Sequence, residues 1–352
     1  MKHLRRRIPR SAMLIDRHQF ISRRQEMPTR RKFAGQLAGI AALAAAPLRY
    51  AHAQNLDLAR ILVGFPPGGG TDAIARRLAE RMRGGYANNV IVENKPGAAM
   101  QISISTLKDS APDGGTFLLT PTAPFSIYPF TYRKLPYVIE DVAPVTTVCT
   151  FPFGFAVGTA VPASVRGVRD FIAWCKENPG KANFGSPAAG STPHLVGILL
   201  SKLSGTELTH VGYRGDAPGL QDLMGGQVSG YFSTAGAFLP HLKSGRLRML
   251  AVSGVGRNSF LPDVPTFREQ GYPITATEQF GLFMPGKTPQ NLVRRAAAYM
   301  QTVLVQPEVT AMLATFAMTA KPTTPQALTD VIKADTDEWR RLIKQIGFTA
   351  ES

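Results

Sequence analysis

Beyond residue 56, short apolar runs alternate with segments whose apolar positions return every three or four residues. The run "RILVGF" (60–65) leads into "DAIARRLAERM" (72–82), where Ile74, Leu78 and Met82 share one helical face. "NVIVENK" (89–95) and "TFLLTPTAP" (116–124) read as strands, and "VTTVCTFPFGFAV" (145–157) as a strand-like run broken by Pro152. In "VRDFIAWCKEN" (168–178), Val168, Phe171, Ile172 and Cys175 fall at i, i+3, i+4 and i+7, which predicts a helix. The alternation continues through "ANFGS", "PHLVGILLSKLSG", "THVGYRG", "APGLQDLMGG", "QVSGYFST", "FLPHLKSG" and "LRMLAVSG". A helical tail follows, punctuated by Pro285, Pro289, Pro307, Pro322 and Pro325. The pattern predicts an α/β fold with mostly parallel strands and no internal repeat.

Charge changes the picture less than its total suggests. The formal net charge of +16 points toward nucleic acid, but residues 1–53 hold 12 basic and 2 acidic residues, leaving 28 and 22 for the rest. The basic excess therefore belongs mainly to a segment with the layout of an export signal. Thr29, Arg30, Arg31, Lys32 and Phe33 match a twin-arginine motif, and residues 34–46 form a weakly apolar run too short to span a bilayer. Ala51-His52-Ala53 is a small-residue cleavage site, so the mature chain is expected to begin near Gln54, in the periplasm. Met27 is an alternative start. Export permits a disulfide between Cys149 and Cys175, but no spacing motif links them, and two buried free thiols are expected.

The candidate chemistry begins at "FPPGGGTD" (65–72), a glycine-rich turn between strand and helix. A phosphate-binding P-loop would need a Lys before Ser or Thr, and a dinucleotide fingerprint a G-x-G-x-x-G. Neither is present, because Gly68, Gly69 and Gly70 run directly into Thr71 and Asp72. What remains is backbone N–H at a helix start, suited to a carboxylate, with Thr71 or Asp72 as cap. "SPAAGSTPH" (186–194) reads as a second such place: Ser191 or Thr192 caps, and Pro193 enters the first turn. His194 packs against that turn or touches ligand. Neither segment contains a basic residue, so a carboxylate is expected to bind without an ion pair. Arg214, in "GYRGD", is the rival anchor.

These stretches, together with "VIVENKPGA", "APDGGTFLL", "VGYRGDAPGLQDLMGGQV", "LPDVPTFREQGYP" and "FGLFMPGKTP", resemble the Bug-type receptors, the periplasmic solute-binding proteins of tripartite tricarboxylate transporters. The resemblance covers residues 57–350. It implies a two-lobed type II periplasmic-binding-protein fold, with residues 54–155 plus 278–352 as one lobe and 156–277 as the other. The implied ligand is a small carboxylate, an organic acid or amino-acid-like molecule, held between the lobes through main-chain N–H groups and hydroxyls. The implied partners are the transporter's membrane subunits, with no cofactor, no nucleic acid and a monomeric state. The expected ligand-binding set is Pro67, Gly68, Gly69, Gly70, Thr71, Asp72, Thr120, Thr122, Ala123, Ser186, Gly190, Ser191, Thr192, His194, Tyr213, Ser233 and Thr234. The chain departs from the family's pattern at Ala99, Met100 and Gln101, which stand where small flexible residues are usual, and at Gln279, where a Trp is usual.

Other classes fit less well. His194, His210 and His241 form no metal-ligand spacing, and "FGSPAAGST" has Pro187 where a serine-hydrolase elbow needs another residue. A cleft enzyme therefore lacks a nucleophile–base pair. A ligand sensor feeding a two-component system has the same sequence signature as a transport receptor. A DNA-binding regulator would need a helix-turn-helix, which is not evident.

Overall fold

A computed structural model describes residues 56–348. The twin-arginine run, Met27, the cleavage site and Gln54 lie outside the described residues. The first part of the described chain contains β1 (Leu56–Val63), α1 (Gly70–Met82), β2 (Ala87–Asn94), α2 (Gln101–Lys108) and β3 (Thr116–Pro121). Two short helices, α3 (Ala123–Ser126) and α4 (Tyr128–Thr131), lead to the long strand β4 (Val142–Val157). Next come α5 (Val168–Glu177), β5 (Asn183–Ser186), α6 (Thr192–Ser204), β6 (Thr209–Gly212), α7 (Asp216–Met224), β7 (Gly230–Thr234), α8 (Ala235–Leu242) and β8 (Arg248–Val252). The chain returns through β9 (Thr277–Pro285) and ends in α9 (Gln290–Leu304), α10 (Pro307–Ala314), β10 (Thr319–Ala320) and α11 (Pro325–Ile346).

The strands run in the order β2-β1-β3-β9-β4-β7-β5-β6, with β8 and β10 also paired to β4. Among the named strands of the described residues, parallel pairing joins β1 with β2 and β3, and β5 with β6 and β7. β4 is antiparallel to β7, β8, β9 and β10, and β3 to β9, so the sheet is mixed, not mostly parallel. The reason is that β4 and β9 are crossings between two α/β halves, one out and one back, whereas parallel pairs arise only from strand–helix–strand units. Nor does Pro152 break β4. Its partner is Thr277 of β9, and the next residue, Phe153, pairs with Thr234 of β7. The missing N–H falls where the strand changes neighbours, which is where a lost ladder bond is tolerated.

The helical faces read from the sequence are the buried ones. Ile74, Leu78 and Met82 of α1 are buried, as are Val168, Phe171, Ile172 and Cys175 of α5. In the second half Phe155 stacks on Phe232 at 4.4 Å, and Phe171 and Phe184 meet these rings edge-on. α11 is capped by the Thr324 hydroxyl, which accepts from the Ala327 N–H at 3.2 Å. The far end of α11 places Ile343 and Ile346 against Leu195 of α6. Both cysteines are buried and free; burial pushes the Cys149 thiol well up and the Cys175 thiol up to about 12.

α6 lies so close to β5 that a Cβ at Gly197 would overlap the Phe184 ring. Gly197→Ala is therefore expected to destabilise by about 1–3 kcal/mol, the usual cost of overpacking a core, although alanine is the better helix former. Urea denaturation checks this, and a gain in stability would mean that α6 packs further from the sheet.

Candidate functional site

Four strand-to-helix turns, two from each half, line one cleft of about 860 Å³. The first follows β1. Here Gly68 adopts φ +89°, in the left-handed region that favours glycine, whereas Gly69 has φ −83° and starts α1 in extended backbone. Asp72 ties the turn together. One carboxylate oxygen accepts from the Gly68 N–H at 3.0 Å and the Arg76 Nε at 2.9 Å, and the other from Asn94 Nδ2 at 3.0 Å. Burial alone would raise its pKa, but the bonds from Arg76, Gly68 and Asn94 outweigh that and hold it below the ordinary carboxylate range. Asp72 thus caps its own loop. The cleft wall takes Gly64, Phe65 and Pro66 from this turn, while Pro67, Gly68 and Gly69 are exposed beyond it.

The second turn, between β2 and α2, contributes Pro96 through Gln101 to the wall. Ala98, Ala99 and Met100 follow one another at φ +45°, +50° and +73°. Left-handed backbone costs an L-residue roughly 1–2 kcal/mol, so packing must hold this run. Met100 is buried, and its Sδ lies 3.6 Å from the Thr120 Oγ1. Its carbonyl accepts from the Ser103 Oγ at 2.7 Å.

The second half supplies Pro187, Ala188 and Ala189 after β5 and Tyr213, Arg214 and Gly215 after β6. Tyr132 reaches across from the first half, its hydroxyl donating to the Ala189 carbonyl at 2.9 Å. The Tyr213 hydroxyl donates to Asp222 at 2.9 Å. Arg214 is the one charged residue in the wall; it is exposed and makes no hydrogen bond or ion pair with the described residues.

Behind the cleft lies a buried junction between the halves. Glu278, on β9, accepts from the Ala123 N–H at 2.9 Å and from the Thr192 hydroxyl at 2.8 Å. The start of α6, read from the sequence as an anion site, therefore already faces a carboxylate of the chain itself. Burial pushes the Glu278 carboxyl up to about 7 against the pull of those two bonds, and the nearby Asp335 adds to the rise. Ser191 occupies the cap position of α6 but does not cap it; its hydroxyl donates to the Ala188 carbonyl at 2.6 Å.

His194 is packed. Its ring stacks on His210 at 3.5 Å, and its Nδ1 accepts from the Gly190 N–H at 2.9 Å. Ser186 lies 2.8 Å from the His210 Nε2. Burial holds both rings neutral, with His194 down to about 3, helped by His210, and His210 down to about 4. Thr120, Thr122 and Ala123 are buried at the junction, Ser233 donates to Asp216, and Thr234 sits at the start of α8. Of the seventeen expected residues, Tyr213 alone lines the cleft. Ala123 and Thr192 meet at Glu278, Gly190 bonds His194, and Pro67 through Thr71 lie outside the wall. The wall at residues 96–101 was signalled only by the departures at Ala99, Met100 and Gln101. The signal for Glu278 was the one carboxylate in the largely buried strand "TEQFGLFMP".

Two outcomes follow from this geometry. Ala99→Gly is expected to leave stability unchanged or raise it by up to about 1 kcal/mol, because relief of left-handed strain exceeds glycine's entropic cost. Ala311→Gly, on the exposed face of α10, should cost about 1 kcal/mol. Equal losses by urea denaturation would mean that residue 99 is not left-handed. For Glu278, the folded pKa lies above the ordinary 4.5, so the native state holds the proton more tightly and loses stability as pH rises from about 4.5 to 7. Glu278→Gln keeps the Ala123 bond at its carbonyl oxygen, can donate from Nε2 to the Thr192 hydroxyl in place of accepting from it, and removes that loss. Its melting temperature relative to the parent should rise between pH 5 and pH 8, with a free-energy change on the order of 3 kcal/mol. A pH-independent difference would refute the shift.

The comparisons with known proteins agree with this architecture. Residues 74–348 match the family described as "Tripartite tricarboxylate transporter family receptor". The chain is 31% identical to BugT of Bordetella pertussis over 291 residues, which covers 82% of this chain and 89% of BugT. It is 32% identical over 259 residues to a protein from the gbd 5'region of Cupriavidus necator, covering 74% and 78% of the two chains. Among solved structures, the periplasmic binding protein BugD superposes with a TM-score of 0.75 at 27% identity, covering 83% of this chain and 98% of BugD. An R. palustris protein solved with adipate gives 0.79 at 28%, covering 84% and 98%. With its two α/β halves joined through β4 and β9 and a cleft between their turns, the chain belongs to the receptor family of tripartite tricarboxylate transporters.

Proposed function

We propose that the chain is a periplasmic receptor that captures a small carboxylate in the 860 Å³ cleft and delivers it to the membrane subunits of a tripartite transporter. The observation that carries this reading is the cleft, lined by strand-to-helix turns of both halves in a family of receptors. Binding across two halves couples ligand to closure, because only a ligand with greater affinity for the closed arrangement can shift the balance toward it. Residues 54–155 plus 278–352 form one lobe and 156–277 the other in this reading. The turns after β1, β2, β5 and β6 touch the ligand. Thr120, Thr122, Ala123, Ser186, Gly190, Ser191, Thr192, His194, Ser233 and Thr234 support those turns from behind. The protein works as a monomer, without cofactor and without catalysis. The adipate found with the R. palustris relative supports a carboxylate as the ligand class.

Ala188 lines the cleft and is partly exposed, so a tryptophan there should fill the cleft without disturbing the core. Ala188→Trp is expected to abolish carboxylate binding by calorimetry while shifting the melting temperature little; undiminished binding would place the site elsewhere. Export through the twin-arginine route is a separate part of the proposal. Replacing Arg30 and Arg31 together by Lys should stop periplasmic accumulation of folded protein. Normal accumulation, lost only when the general secretory route is blocked, would show a different signal.

A further inference from the structure

We propose that the cleft selects a monocarboxylate with an extended apolar body, and that Arg214 anchors its single anionic head. This rests on the cleft being the ligand site and names the class of ligand within it. The wall is mostly apolar: Phe65, Pro66, Pro96, Met100, Pro187 and Ala188 are among its surfaces. Its polar side chains are few and largely committed. The Tyr132 hydroxyl is spent on the Ala189 carbonyl and the Tyr213 hydroxyl on Asp222. That leaves the Gln101 carboxamide from one half and the Arg214 guanidinium from the other.

Arg214 has no competing carboxylate. Asp216, two residues on, is held by the Ser233 hydroxyl, and Asp222 by Tyr213. A guanidinium left unpaired in a neutral wall fits one carboxylate in bidentate fashion. A second ligand carboxylate meets no such group. At the start of α6 the Thr192 hydroxyl is already committed to Glu278. A dicarboxylate's far charge would meet at most the neutral Gln101 carboxamide among proline, alanine and phenylalanine surface, which repays less of its lost hydration than a guanidinium does. The expectation of binding by backbone dipoles alone gives way here to an ion pair, because the glycine-rich turn presents Gly64–Pro66 to the cleft and not its glycine run.

The test is calorimetry on the mature protein with 4-phenylbutanoate, 4-phenylbutanol, adipate and succinate. 4-Phenylbutanoate is expected to bind at least about tenfold more tightly than either diacid. Arg214→Gln should weaken 4-phenylbutanoate by about tenfold or more and leave the uncharged alcohol unchanged, with an unaltered melting temperature because the side chain is exposed. Arg214→Lys should recover part of the loss. A diacid that binds as tightly as 4-phenylbutanoate overturns the selectivity; if Ala188→Trp then abolishes that diacid's binding, the cleft remains the site. A loss below about threefold at Arg214→Gln, less than 1 kcal/mol, overturns the anchor. Failure of every acid to bind overturns this inference and the receptor reading together.

Discussion

Every N–H and C=O of a buried strand must find a partner, and β4 meets that demand in two places at once. Its first part pairs with β9 and β10, and its last five residues with β7 and β8. The register of these pairings fixes where one half stands relative to the other, and therefore which turns face each other. The cleft is a consequence of that register. The turns after β1 and β2 lie on one side of it and those after β5 and β6 on the other. Pro152 is accommodated because it falls at the exchange of partners, where a missing donor interrupts neither ladder.

The chain places its own carboxylates where an outside anion was expected. Asp72 turns back onto the loop before α1, and Glu278 meets the Thr192 hydroxyl at the start of α6. The two solve the problem of a buried charge in opposite ways. Asp72 has a cation and an amide beside it and stays ionised, whereas Glu278 has only neutral donors and holds its proton to about pH 7. Helix dipoles that could have served a ligand are thus partly used for cohesion. Arg214 is the one charged residue of the described cleft wall.

Much of the fold was legible in the chain. Apolar spacing located α1 and α5 with their buried faces, and glycine-rich turns located the ends of the strands. Strand direction was not legible, because "VTTVCTFPFGFAV" looks the same whether its neighbours run with it or against it. The site was less legible still. The glycine run was legible as a turn, but which turn atoms face the cleft depends on how the two halves meet. Ser191 and Thr192 looked like caps, but a local bond to Ala188 and a tertiary one to Glu278 claimed their hydroxyls. Ala99, Met100 and Gln101 were visible as departures from a family pattern; the left-handed backbone of Ala98, Ala99 and Met100 was not, since alanine and methionine rarely adopt it.

The buried thiols have a kinetic meaning in the proposed compartment. Thiol exchange proceeds through the thiolate, and neither Cys149 nor Cys175 ionises near neutral pH while the fold is intact. Cys149 sits on β4, the strand that both halves share, and Cys175 on α5, which covers the second half. Oxidation of either sulfur thus requires the surrounding element to open first. The rate at which an alkylating reagent labels Cys149 becomes a clock for the opening of the shared strand, and the rate at Cys175 a clock for the second half alone.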